Sequence, residues 1–153
     1  MVWKPHVTVA AVIEQDNKFL LVEEHTNNGI AFNQPAGHLE NGESISTAVK
    51  REVNEETAWQ FKPESITAIQ LWRKTPESPS FLRVCFAGKV HSFDAEQPLD
   101  NDIIATHWLT REQIIAKQSQ LRSPLVLNTI DAYLKGEHYP LSLLKSYIDL
   151  EYE

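Results

Sequence analysis

The sequence predicts an α+β sandwich of sheet and helices, and three observations predict it. Strand-like stretches fill the start and middle of the chain, helical stretches with recognisable caps stand apart from one another, and 42% of the 153 residues are hydrophobic. A chain of about 150 residues buries roughly 70% of its unfolded surface, so this one needs neither disulfides nor a structural metal to hold a core. Residues 7–13 are apolar at both parities, as in a strand covered on both faces. Residues 14–17 turn the chain into a second strand at 18–23, so a hairpin opens the fold. Residues 25–31 are polar and are expected to be loop, and residues 34–42 hold Pro35, Gly37 and Gly42. A helix follows, with Ser44 as N-cap and its end near Thr57. Further strands are expected at residues 65–73, 80–90 and 104–109, the first two joined by a turn over 75–79. In the second of these, Leu82, Val84 and Phe86 share one face, so Arg83 points away from that apolar row. Thr110 with Gln113 reads as a capping box for a short helix over residues 111–117. Ser123 as N-cap, Pro124 at the first helical position and Gly136 past the end frame a last helix. The tail over residues 141–152, with Leu143, Leu144, Tyr147, Ile148 and Leu150, is expected to cover the core or a partner.

There is no internal repeat, low-complexity tract or long Gly/Ser linker, and residues 1–153 read as one domain. The single Cys85 has no partner for an internal bridge, and the apolar runs fall far short of the roughly 18 residues that span a bilayer. Met-Val-Trp-Lys-Pro lacks the features of a signal sequence, so a reducing cytoplasm is the expected compartment, with no membrane partner. Fourteen Lys+Arg against 21 Asp+Glu leave a formal charge of −7 without basic clusters, which argues against a nucleic-acid polymer as partner. An anionic substrate would need cations to mediate.

The informative segment is Arg51-Glu52-Val53-Asn54-Glu55-Glu56. At about 100° per residue, a helix places Glu52, Glu55 and Glu56 within an arc of roughly 100°. Ile45, Ala48, Val49 and Val53 fall within about 100° of Glu52, so the glutamates share the apolar side, with Thr47, Lys50, Asn54 and Thr57 opposite. A merely solvated acidic stripe would sit on the polar side. Like charges three and four apart repel by about 0.2–0.5 kcal/mol per pair on an open surface and more once desolvated, and a cation reverses that sign. Carboxylate oxygens with no Cys or His nearby suit Mg²⁺, or Mn²⁺ as a substitute, rather than zinc, and the chain has no His-Glu-x-x-His or Cys-x-x-Cys. Magnesium on carboxylates usually bridges to substrate phosphates, which points to phosphate-ester or diphosphate chemistry.

Gly37, then Glu43, then Arg51-Glu52-Val53-x-Glu55-Glu56-x-Ala58-Trp59 resembles the Nudix box of the Nudix hydrolases. That box is Gly-x5-Glu-x7-Arg-Glu-(bulky apolar)-x-Glu-Glu-x-Gly-(bulky apolar). Six fixed positions at roughly 6% usage each make a chance match of order 10⁻⁵ over a chain of this length. The match spans residues 37–59 and implies a Nudix-type α/β/α sandwich with a mixed sheet and a loop–helix–loop motif. It also implies a hydrolase of diphosphate-linked small molecules. By this resemblance Glu52, Glu55 and Glu56 are the catalytic acids and bind the divalent ions, the Gly37 carbonyl is a further ligand, and Arg51 with Glu43 orients helix against loop. Glu52, central in the arc, is favoured to deprotonate the attacking water, and bound ions would neutralise the diphosphate and lower that water's pKa. Asp102 stands six residues before Trp108, where many relatives bring an acid to the site from a loop; a plain loop acid is an equal reading. Ala58 departs from the pattern, which usually has Gly. Alanine there costs on the order of 1 kcal/mol if the helix ends in the left-handed conformation. Trp59 is bulkier than the usual aliphatic.

Other stretches resemble one branch, the NudJ-type phosphatases. These are Pro5-His6-Val7-Thr8-Val9-Ala10, residues 33–40, Phe81-Leu82-Arg83, residues 121–126 and Tyr139-Pro140-Leu141. The branch implies Mg²⁺-dependent release of orthophosphate from thiamine-related pyrophosphates, such as hydroxymethylpyrimidine pyrophosphate and thiamine pyrophosphate, and from nucleoside di- and triphosphates. For a planar base, Trp72, Phe32 and Phe81 are candidate stacking partners, and Arg83 and Arg122 candidate diphosphate contacts. Each has a structural alternative: core packing for the aromatics, a brace for the last helix for Arg122. His6 and His38 read as structural histidines and Cys85 as a small buried hydrophobe. Arg83→Ala is expected to raise KM strongly; an unchanged KM with a lowered melting point would favour a structural role. Competing functions are a nucleotide-pool (MutT-like) or ADP-ribose pyrophosphatase, and a non-catalytic nucleotide-sensing module, against which the intact acid cluster speaks. A monomer or homodimer is expected.

The charge is unevenly spread. Residues 40–56 hold five acids against two bases, 94–102 hold four acids and no base, and 149–153 hold three acids and no base, whereas 65–93 hold four bases against one acid. An acid cluster suited to metal thus accompanies a basic strand pair that could meet phosphate.

Overall fold

The structure, a computed structural model, describes residues 1–148. Leu150 and Tyr152 of the tail and the acids at 149, 151 and 153 lie outside the described residues. Strands β1 (His6–Gln15) and β2 (Lys18–Thr26) form the opening hairpin. Asp16 and Asn17 turn it with φ of 53° and 62°, a left-handed pair that Asp and Asn tolerate and that matches the twist of the flanking strands. Only Glu14–Phe19 and Gln15–Lys18 pair across this hairpin. The strands then diverge. β1 pairs with β4 (Ala36–His38) and, in parallel, with β6 (Phe81–His91), while β2 pairs with β3 (Gly29–Asn33) and β7 (Ile103–Leu109). β5 (Gln60–Trp72) completes the mixed sheet at its edge, in the order β3-β2-β1-β6-β5.

Helix α1 (Ile45–Thr57) covers one face, and α2 (Arg111–Ala116) with α3 (Leu125–Leu134) covers the other, giving the expected α/β/α sandwich. β1 is apolar at both parities because it serves both layers. Val9, Ala11 and Ile13 join Ala48, Val49 and Val53 of α1, and Val12 joins Ile114, Val126 and Ile130 beneath α2 and α3. Among the described residues no helix is long and apolar enough to cross a membrane.

The structure differs from the sequence expectation in several places, each for a local reason. Residues 25–31 are no loop: β2 runs on to Thr26, and a tight turn enters β3, closed by Thr26 Oγ1 donating to the Gly29 carbonyl at 2.6 Å and by Gly29 at φ 103°. β5 starts at Gln60 and crosses Pro63, which an edge strand tolerates, with register shifts beside it. The last helix begins at Leu125, one residue later than expected, with Pro124 in helical dihedrals at the N-cap and Ser123 Oγ accepting from the Leu125 N–H at 3.1 Å; it stops before Gly136 at φ 84°. Thr57 is not on an open polar face; it is buried, with Oγ1 donating to the Val53 carbonyl at 2.6 Å. Of the tail, Leu141 and Leu144 pack on the α1 side of the core, while Leu143, Tyr147 and Ile148 are exposed.

Candidate functional site

The acid-bearing helix is fixed at both ends. Ser44 Oγ accepts from the Thr47 N–H at 3.1 Å, which satisfies one of the orphan donors of the first turn. At the other end Ala58 adopts φ 63° and ψ 9°, the left-handed conformation that the missing glycine would favour, and its N–H bonds the Asn54 carbonyl at 2.9 Å. The loop between β6 and β7 bonds two carbonyls of the last turn. Gln97 Nε2 donates to the Asn54 carbonyl at 2.8 Å, and the Asp100 N–H donates to the Glu55 carbonyl at 3.0 Å. That last bond brings Asp100 to the acids.

Glu52, Glu55 and Asp100 each offer an oxygen within 4.8 Å of the others. Glu52 and Glu56 are buried, at 8% and 7% exposure, although both are carboxylates. Glu56 Oε1 accepts from the Ala36 N–H at 3.0 Å and has no cationic partner among the described residues. Burial pushes its carboxyl up to about 9, helped by the charges of Glu24, Glu52 and Asp100 and opposed by that backbone bond. Burial also raises Glu52, against the pull of Arg51.

Arg51 holds this helix to the preceding loop. Its guanidinium grips Glu43 with two bonds, Nε to Oε2 at 3.0 Å and Nη2 to Oε1 at 2.7 Å, and reaches the His38 carbonyl at 3.0 Å. Nη1 bonds Glu52 at 2.8 Å and Glu55 at 3.3 Å. Glu43 is held below the ordinary carboxylate range by its hydrogen bonds from Arg51, and its Oε1 also caps the Glu40 N–H at 2.8 Å. Gly37, on β4, lies directly against the Glu52 carboxylate: a Cβ at residue 37 would stand 2.1 Å from Glu52 Cδ. The glycine is there for room. An all-oxygen donor set, a glycine cradle and a buried carboxylate without a counter-charge together fit a hard divalent cation such as Mg²⁺ or Mn²⁺.

Glu52 and Glu56, but not Glu55 or Asp100, line a cavity of about 540 Å³. Glu24, Glu52 and Glu56 line it together with Arg83, Arg122, Lys74, Trp72 and Phe81, and Arg122 adjoins Glu24. Trp72 and Phe81 are stacked at 6.4 Å between centroids, and His6 stacks on Phe81 at 5.3 Å, so the aromatic wall is backed by the structural histidines. Burial and the charges of His6 and Arg122 lower the pKa of His38, which also lines the cavity.

Three site expectations change. Phe32 does not line the cavity: it is 5% exposed, packed in the α2–α3 side of the core because its parity on β3 turns it there, with the Lys117 ammonium 4.9 Å above its ring. Asp100, and not Asp102, joins the acids on α1, because the bond to the Glu55 carbonyl fixes the loop at that residue; Asp102 instead bonds the His25 N–H through its carbonyl and faces Glu24 electrostatically. Arg83 lines the cavity, yet its Nη atoms are already engaged by Asn33, Gln34, Gln70, Thr129 and Cys85. The sequence reading missed Glu24, whose one signal was a charged residue at the parity of buried Leu20 and Val22.

A mixed sheet between helices, with a carboxylate helix seated against a loop glycine, defines the class. The NUDIX domain family model matches residues 4–128, and the chain belongs to that family as a Nudix pyrophosphohydrolase. It is 42% identical over 142 residues to the phosphatase NudJ of Shigella boydii serotype 4 (strain Sb227), and equally to that of Escherichia coli (strain K12), covering 93% of this chain and 92% of each relative. Among solved structures, a NUDIX hydrolase from Nitrosomonas europaea is 49% identical with a TM-score of 0.93, over 96% of this chain and 100% of that one. A UDP-X diphosphatase, 17% identical over 92% of this chain and 68% of that one at a TM-score of 0.73, shares the fold.

Proposed function

We propose that this enzyme is a Mg²⁺-dependent phosphatase of thiamine-related pyrophosphates, such as hydroxymethylpyrimidine pyrophosphate and thiamine pyrophosphate, and of nucleoside di- and triphosphates, releasing orthophosphate. The observation that carries the reading is a cavity lined by three buried carboxylates, of which Glu56 has no cationic partner among the described residues, together with guanidinium and aromatic groups. The similarity to proteins named phosphatase supports the choice of product.

Glu52, Glu55 and Glu56, with the Gly37 carbonyl and Asp100 beside them, would hold the ions. When bound, these neutralise the diphosphate and make water a better nucleophile at neutral pH. Glu52 takes the proton of the water that attacks phosphorus, the phosphoanhydride bond breaks, and the leaving oxygen departs with the remainder of the substrate. Arg51 sets the Glu52 carboxylate against Gly37, so the base is placed before substrate arrives. Arg122 and Lys74 line the cavity and offer cationic groups to phosphate oxygens, and Trp72 with Phe81 offers a planar ring an apolar face.

The test is a hydrolysis panel in Mg²⁺ that scores orthophosphate, pyrophosphate and nucleoside monophosphate across thiamine pyrophosphates, dNTPs and ADP-ribose. Orthophosphate is the expected product. Pyrophosphate from dNTPs would move the enzyme to the pool-cleaning group, and AMP from ADP-ribose to the ADP-ribose group. Glu55→Gln should lose most of the Mg²⁺-dependent rate with an unchanged melting profile; full activity in that variant would sink the metal assignment.

A further inference from the structure

Among the described residues, three carboxylates are buried: Glu52 and Glu56 on α1, and Glu24 on β2. Glu24 lines the same cavity but stands on a different element, at a step where β7 carries an extra residue: Glu23 pairs with Ala105 and Glu24 with Ile103. Bulges of this kind turn a strand locally and gather beside functional sites. The partner of Glu24 is Arg122, whose Nη1 donates to Oε1 at 2.9 Å.

Arg122 is built differently from Arg83. Its backbone is fixed, since its N–H bonds the Phe32 carbonyl at 2.8 Å and the adjacent Leu121 bridges to Phe32. Its side chain is half-exposed, and among the described residues the Glu24 bond is the one hydrogen bond its guanidinium makes. Four of its five N–H donors therefore remain for a ligand. Arg122 lines the same cavity as Gly37 and His38 of the strand that cradles Glu52.

We propose that Glu24 is a positioning residue for Arg122: it holds the guanidinium in the cavity that Glu52 and Glu56 also line, so that the remaining donors of Arg122 grip substrate phosphate oxygens. The proposal rests on the cavity being a diphosphate site. A long side chain ordered in advance gives up less freedom on binding, so the gain falls on KM and not on the chemical step.

The experiment compares Glu24→Gln, Arg122→Ala, Arg122→Lys and the double variant Glu24→Gln/Arg122→Ala, each checked by its melting profile. Glu24→Gln should raise KM about tenfold with kcat nearly unchanged, a size set by the entropy of one long side chain. Arg122→Ala should raise KM at least as much, and Arg122→Lys should not restore it, because an ammonium lacks the fork. The double variant should be no worse than Arg122→Ala, since both act through one guanidinium. An unchanged KM in Glu24→Gln, or effects that multiply, would overturn the proposal. So would a collapse of kcat with a shifted Mg²⁺ half-saturation, which would make Glu24 a metal ligand instead. Calorimetric binding of inorganic pyrophosphate in Mg²⁺ separates this outcome from failure of the hydrolase reading. Weakened binding in Glu24→Gln supports the positioning role even if none of the panel is turned over, and unweakened binding overturns it even if turnover is robust.

Discussion

At the scale of single residues, Gly37 and Ala58 show how the same small side chain question has two different answers. Gly37 lies outside the left-handed region, so its identity is a matter of space: the Glu52 carboxylate fills the place of a side chain. That carboxylate is the far end of a flexible chain, so it can move away when crowded. Gly37→Ala should therefore fold with a stability within about 1 kcal/mol of the parent, at the mild end of overpacking, while losing most of its activity. Melting temperature and kcat measured together check this; full activity would mean that the Glu52 position does not matter. Ala58 is the reverse case. It is held at φ 63°, where glycine would be free of strain, and this conformation was legible in the sequence because the motif's spacing fixes the helix end. The tight approach of Gly37 to Glu52 was not legible, since the two residues meet only after β4 has paired with β1.

Among the elements, the bounds of α1 and α2 follow from caps that lie within a few residues in sequence, Ser44 for one and the Thr110–Gln113 box for the other. Contacts that cross elements were hidden. Arg83 is a candidate diphosphate contact in the sequence, with a structural alternative, and it does lie on the face away from Val84 and Phe86. What lies there is a set of neutral acceptors from three other elements: Gln70 on β5, Thr129 on α3, and Asn33 with Gln34 at the end of β3. Gln34 also donates to the Val126 carbonyl at 2.9 Å, which ties the sheet to α3. Removing the guanidinium leaves buried acceptors without donors, each costing about 1–3 kcal/mol. Arg83→Ala should thus lower stability by about 2–4 kcal/mol in urea unfolding, whereas Arg122→Ala, which removes a half-exposed guanidinium and leaves one buried carboxylate able to take up a proton, should cost less. Equal midpoints for the two variants would contradict the division of labour between these arginines.

For the molecule as a whole, the layered fold was legible because period and parity decide which face each strand buries, and the acid cluster was legible because one helix carries it. The electrostatic cost of that cluster became visible only with burial. Glu56 titrates near 9 in the folded protein against an ordinary value of 4.5, and Glu52 and Glu24 are shifted in the same direction. Between those two values the folded state binds more protons than the unfolded one, so stability falls as pH rises through this window and levels off above about 9. Glu43 is shifted the opposite way, and its contribution is lost only as pH falls below the ordinary carboxylate range, outside this window. A divalent cation binds the ionised carboxylates and competes with their protons, so its stabilisation grows with pH, by about 2.7 kcal/mol at a hundredfold excess over Kd. His38, shifted down, opposes this trend only below its ordinary value of 6.5, so the metal-free enzyme should melt at progressively lower temperature from about pH 6.5 to pH 9, and Mg²⁺ should restore the loss most fully at the alkaline end. Glu56→Gln, which cannot ionise, should flatten the metal-free slope and shrink the Mg²⁺ effect. A metal-free melting temperature that rises across the window would show that the α1 acids are paid for elsewhere in the fold; a Mg²⁺ effect as large at pH 5 as at pH 9 would show that the ion does not act on their ionised form.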